Sequence, residues 1–103
     1  MSDSEFIKQA KFTLEFLFDI FDEADNDGDL EIDYSGEVLN ITTKIGQYVI
    51  NRNIAAQEMW LSSPVSGPNH FAFDGENWLT KSNINLYKIL SEEFLNIGFN
   101  LKI

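Results

Sequence analysis

The chain has 103 residues, no cysteine, one histidine and a formal net charge of −10 from 17 acidic and 7 basic side chains. That length suits one domain, residues 1–103, with one core. The 44% apolar and 14% aromatic content argues against a disordered polyanion. Without cysteine there is no disulfide framework, thiolate metal site or thiol nucleophile, and the acidic balance argues against nucleic acid as a partner.

Residues 4–23 are predicted as a helix. Ser4 is the candidate N-cap, and Ile7, Ala10, Leu14, Leu17, Phe18 and Phe21 form a core-facing stripe. Phe12, Phe16 and Ile20 form a second stripe on another face, with no cover evident in the sequence. Asn26 to Gly28 breaks the helix. Short strands are predicted over 29–34, 37–44, 47–51, 57–62, 70–73 and 77–79, with turns at Ser35-Gly36, Ile45-Gly46 and Asp74-Gly75. Residues 62–68, Ser-Ser-Pro-Val-Ser-Gly-Pro, read as an irregular loop. Residues 83–97 are predicted as a closing helix capped by Ser82 or Asn83. Its Leu86, Ile89, Leu90 and Ile97 point inward, and Gly98 stands at the C-terminal cap. The expected fold class is α+β, two helices packed on one face of an antiparallel β-sheet.

The acids are segregated. Glu15, Asp19, Asp22, Glu23, Asp25, Asp27, Asp29, Glu31, Asp33 and Glu37 fall in one stretch with no lysine or arginine, while the other seven acids and the seven bases cancel. The whole net charge therefore lies in one segment. Asp19, Asp22 and Glu23 share a helix face. Asp25 to Asp33 alternate, and in extended chain they would share one side, opposite Leu30, Ile32 and Tyr34. A helix ridge is thus expected to run directly into a strand ridge. Carboxylate oxygens suit hard cations such as Mg²⁺, Ca²⁺, Mn²⁺ or iron, and exposed carboxylates that do not converge bind them weakly at several sites.

Three other features bear on function. Asp25, Asp27 and Gly28 fit positions 3, 5 and 6 of a calcium loop, but Glu23 and Tyr34 then stand at positions 1 and 12. His70 has no catalytic partner by motif, the serines lack a nucleophile elbow, and the glycines make no phosphate loop, so no enzyme activity is expected. Strand alternation turns Trp60 and Asn51 to the open sheet face, where a tryptophan suits a protein-docking contact.

Several stretches resemble the frataxin family, of the bacterial CyaY type. They are Ser4-Glu5-Phe6, the acidic run to Asp33, Gly36-Glu37-Val38-Leu39-Asn40-Ile41, Tyr48-Val49-Ile50-Asn51-Arg52 and, most specifically, Trp60-Leu61-Ser62-Ser63-Pro64-Val65-Ser66-Gly67-Pro68, with Trp78 and the closing helix. The resemblance implies a weakly iron-binding adaptor of iron–sulfur cluster assembly that docks on a cysteine desulfurase and its scaffold protein. Its metal ridge would be Asp19, Asp22, Glu23, Asp25, Asp27, Asp29, Glu31 and Asp33. Asp22, Glu23, Asn51, Gln57 and Trp60 would meet the partner. A monomer that metal can oligomerise is expected, in a bacterial cytoplasm rather than a mitochondrial matrix, without membrane contact. The alternative is a calcium-type divalent-cation module with no assembly partner.

Overall fold

The computed structural model describes residues 1–103. Helix α1 (Asp3–Ala24) is followed by β1 (Glu31–Tyr34), β2 (Val38–Thr43), β3 (Gly46–Asn53), β4 (Glu58–Ser63), β5 (Gly67–Phe73), β6 (Trp78–Leu79) and helix α2 (Leu86–Leu95). The strands form one antiparallel meander in the order β1-β2-β3-β4-β5-β6. Both helices cover the same face, as the expected α+β arrangement requires. On that face Leu39, Ile41, Tyr48, Ile50, Met59, Leu61 and Phe71 are buried against Phe6, Ala10, Leu14, Leu17 and Phe21 of α1 and Leu86, Leu90 and Phe94 of α2. Phe94 ties the layers together, with ring centroids 4.6 Å from both Phe21 and Tyr48.

The helix ends differ from the sequence reading. Ser2, not Ser4, caps α1: its Oγ accepts from the Glu5 amide at 3.1 Å, the three-residue reach of a Ser-x-x-Glu start. Neither Ser82 nor Asn83 caps α2. Asn83 is left-handed (φ +64), and Thr80 Oγ1 holds the Ser82 and Ile84 amides, so the chain turns there. Asn85 caps instead, its Oδ1 accepting from the Tyr87 amide at 2.8 Å. Gly98 does end the helix as expected. It sits at φ +95, the Phe99 amide donates to Phe94 O at 2.9 Å, and the Phe99 ring packs on Phe94.

The 62–68 stretch is more regular than its composition suggests. Only Pro64–Ser66 leaves the sheet, because Ser63 Oγ accepts from the Val65 and Ser66 amides and closes a tight loop. Pro68 is tolerated opposite Ser62 because β6 pairs only with Ala72 and Phe73, so β5 is an edge there. Gly46 (φ +137) touches this loop, and a Cβ there would stand 2.8 Å from Pro64 Cβ.

The core-facing stripe of α1 runs through Phe6 rather than Ile7, which with Phe18 is only half-buried. Ile20 of the second stripe is buried, lining a recess with Gly98, Asn100 and Lys102 of the C-terminal tail. Phe12 stays 67% exposed, and Phe16 leans on Tyr87. Three buried hydrogen bonds join the layers. Trp78 Nε1 donates to Thr13 Oγ1 at 2.8 Å, and Glu93 Oε1 accepts from Tyr48 OH at 2.8 Å and from Ser63 Oγ.

Candidate functional site

Asp19, Asp22 and Glu23 stand exposed on α1, and Glu31 and Asp33 stand exposed on β1, alternating with half-buried Ile32 and Tyr34. The expected continuous ridge between them is interrupted. Residues 25–28 form a turn, with Gly28 at φ +73, because Asp, Asn and Gly favour local turns over extended chain. Asp25 is half-buried and holds the turn that follows α1, its Oδ1 accepting from the Asp29 amide at 2.8 Å and its Oδ2 from the Leu30 amide at 3.0 Å. Asp27 and Asp29 remain exposed on the turn.

The helix acids belong to the helix layer, whereas Glu31 and Asp33 leave the sheet on its opposite face. The carboxylates therefore wrap around the β1 edge and do not share one flat surface. Glu15 belongs to the same edge. The Tyr34 phenol is pushed up by burial first and by the Glu15 carboxylate second, with Arg52 opposing. Arg52 in turn pairs with Glu37 at 3.2 Å. No three carboxylates or histidines gather where they could hold one metal ion. After the turn the chain enters β1 rather than a second helix, Tyr34 brings no carboxylate to position 12, and both Asp25 oxygens hold backbone amides, so the helix–loop–helix arrangement of a calcium loop is absent.

The open sheet face carries the second group. The register aligns Val38, Asn51, Trp60 and His70 in one row across β2 to β5. A neighbouring row holds Asp33, Asn40, Val49 and Ser62. Asp33 and Glu31 thus share a face with Trp60 and Asn51, as strand alternation predicts. Three strand spacings of about 4.8 Å place β1 roughly 14 Å from β4. Trp60 is half-buried, and its Nε1 donates to Glu58 Oε1 at 3.0 Å. The amide nitrogen of Asn51 donates to Arg52 O at 3.2 Å.

Gln57 does not join this group. It sits in the β3–β4 turn at φ +52, and its Nε2 donates to Met1 O at 2.8 Å and Asp3 Oδ1 at 3.0 Å. Its side chain ties that turn to the start of α1.

Two neighbours of Trp60 are not evident from motifs. His70 stacks on it with centroids 4.4 Å apart and planes 11° apart, and Glu58 Oε1 lies 3.8 Å from His70 Nδ1. The signal was register: residues 58 and 60 share a face, and residue 70 comes opposite 60 once the 62–68 stretch is paired as strand. Beside them is a shallow polar hollow of about 420 Å³, bounded by Glu58, His70, Thr80, Lys81 and Ser82. No helix is long and apolar enough to cross a membrane.

Residues 1–98 match the frataxin-like domain. The chain is 38% identical to the mitochondrial frataxin of Arabidopsis thaliana over 105 residues, covering 94% of this chain and 56% of that protein. It is 37% identical to the mitochondrial frataxin homolog of Schizosaccharomyces pombe over 101 residues, covering 91% of this chain and 64% of that one. The chain thus spans between about half and two thirds of the length of these curated relatives. The fold superposes on frataxin from Psychromonas ingrahamii with a TM-score of 0.84, at 21% identity, over 98% of this chain and 96% of that one. It also superposes on a trimeric frataxin of Saccharomyces cerevisiae in a ferrous complex, with a TM-score of 0.77 at 32% identity, over 84% and 82% of the two chains. The pairing of an acidic α1–β1 edge with a tryptophan-bearing sheet is therefore carried on the fold these proteins share, and the chain belongs to the frataxin-like family, in which the CyaY proteins also stand.

Proposed function

We propose that this chain is an iron-binding adaptor of iron–sulfur cluster assembly that docks on a cysteine desulfurase and its scaffold protein. The observation that supports this best is the shared face of Glu31 and Asp33 with Asn51 and Trp60. A dense negative edge draws a basic protein surface from a distance, and a half-buried tryptophan supplies a directional contact. The ferrous complex of the yeast relative supports iron as the cargo.

Asp19, Asp22, Glu23, Asp27, Asp29, Glu31 and Asp33 offer hard oxygen donors singly, so iron is held weakly and other divalent cations compete. Asp25 contributes charge while its oxygens hold the backbone. The role is binding, not catalysis. The net charge of −10 opposes self-association, so the chain is a monomer until cations screen it. A compartment that assembles iron–sulfur clusters follows from this role, and the mitochondrial frataxins among its relatives support an organellar matrix as well as a bacterial cytoplasm.

The test is binding to the desulfurase–scaffold complex by wild type, Trp60→Ala and Asp22→Lys/Glu23→Lys. Trp60→Ala is expected to weaken docking by tens-fold at all salt concentrations, about 2 kcal/mol for a central aromatic anchor. The charge reversal is expected to weaken it most at low salt. No binding by wild type at low salt with iron present overturns the adaptor reading.

A further inference from the structure

His70 is the only histidine in the chain, and histidine is the side chain whose charge change falls between pH 5 and 8. It lies against the one tryptophan of the open sheet face. The imidazole and indole planes are 11° from parallel with centroids 4.4 Å apart, so His70 covers one π-face of Trp60. A cation in that position is attracted to the ring. Glu58 Oε1 completes the cluster, accepting from Trp60 Nε1 at 3.0 Å and lying 3.8 Å from His70 Nδ1. Lys81, on the segment after β6, is the other charged group at the hollow that His70 lines. The register neighbours Asn51, Pro68 and Ala72 are uncharged.

We propose that His70 makes docking at the Trp60 row proton-dependent, so that a basic partner surface is held by the neutral-imidazole form and released on acidification. The inference rests on the adaptor reading. A proton on His70 places positive charge on the docking row, where a basic partner is repelled. It also pulls on the Glu58 oxygen that fixes the indole N–H, so the anchor that orients Trp60 is shared with a new claimant. Its side chain is 51% exposed, so His70→Gln does not disturb the core.

The experiment has two readouts on wild type and His70→Gln. In the free protein, tryptophan emission is followed from pH 8 to 5.5. Trp78 is buried with its N–H on Thr13, away from His70, so the difference between the two proteins reports Trp60. Wild type is expected to show a step in emission that His70→Gln lacks. Affinity for the desulfurase–scaffold complex is then measured at pH 7.5 and 5.5. Wild type is expected to lose about fivefold more than His70→Gln, the scale of one added charge at surface distances. Equal emission profiles overturn the inference without reference to any partner. Docking with the same pH dependence in both proteins also overturns it, while leaving the adaptor reading intact. Absence of docking at every pH overturns the adaptor reading and this inference with it.

Discussion

Glu93 and the acids of the β1 edge are the same chemical group in opposite surroundings. Glu93 is 9% exposed on the inner side of α2, and its Oε1 receives hydroxyls from β3 and β4. Asp22, Glu23, Asp27, Asp29, Glu31 and Asp33 are exposed, and none is paired with a base. One buried carboxylate fixes how the closing helix sits on the sheet. Six free ones leave the fold nearly untouched and determine what approaches it. The difference follows from desolvation: a buried group must have partners, whereas an exposed one keeps its water.

The largest effect is expected from breaking the buried side of that contrast. Glu93→Leu leaves Tyr48 OH and Ser63 Oγ facing an apolar side chain inside the core. The expected cost is about 3 kcal/mol, the range for orphaning buried hydroxyls bonded to a charge. At roughly 4–8 °C per kcal/mol for a domain of this size, the melting temperature drops by about 15 °C. Glu93→Gln keeps an acceptor and is expected to lose about 1 kcal/mol. Equal losses in the two variants would show that volume, not hydrogen bonding, matters at this position.

The same cluster predicts an alkaline limit. The Tyr48 phenol is pushed well above its ordinary value of 10.0, by burial first and then by the hydrogen bond and charge of Glu93. A raised folded-state pKa contributes stability that is fully present below the unfolded value and is lost as pH rises toward the folded one. Urea midpoints are therefore expected to be insensitive to Tyr48 up to about pH 9 and to fall above pH 10. Tyr48→Phe is expected to be less stable at neutral pH but to show a shallower alkaline decline. A decline of unchanged steepness would assign it to other tyrosines.

Within the acidic edge, Asp25 stands apart from its neighbours. It is the one carboxylate there that holds backbone amides, so Asp25→Ala is expected to cost about 1 kcal/mol, the scale of a lost side-chain-to-backbone hydrogen bond. Asp27→Ala, two residues on and exposed, is expected to stay within about 0.5 kcal/mol of wild type. Matching denaturation midpoints for the two would remove the turn-holding role from Asp25.

How much of this was legible in sequence depended on whether local periodicity decides the outcome. Strand alternation correctly placed Leu39, Ile41, Tyr48, Ile50, Met59 and Leu61 inside and Asn51 and Trp60 outside, because a period of two leaves no other choice once one face is buried. The same rule failed over 25–28, where Asp25 uses its side chain to hold the amides of the following turn and the alternation of acids is a coincidence of that turn. Glu93 was invisible because its partners lie 45 and 30 residues away. His70 beside Trp60 was missed because Pro64 and Pro68 suggested a loop where Ser63 builds a three-residue turn. Pairing information across the sheet, rather than residue type, was what the sequence reading lacked.

The smallest effect is expected from the free acids themselves, and it carries the opposite sign. Asp22 and Glu23 sit in the last turn of α1, where the helix dipole already presents negative charge and no basic residue compensates. Asp22→Asn/Glu23→Gln is expected to stabilise the fold by a few tenths of a kcal/mol at low ionic strength, through relief of like-charge repulsion. At 0.5 M salt the gain vanishes, since the screening length then falls well below 10 Å. Under the proposed adaptor role the same variant is expected to dock more weakly on the desulfurase–scaffold complex, so stability and docking move in opposite directions. A variant that lost both together would show that these carboxylates hold the structure, and the division between a buried carboxylate that builds and exposed ones that recruit would not stand.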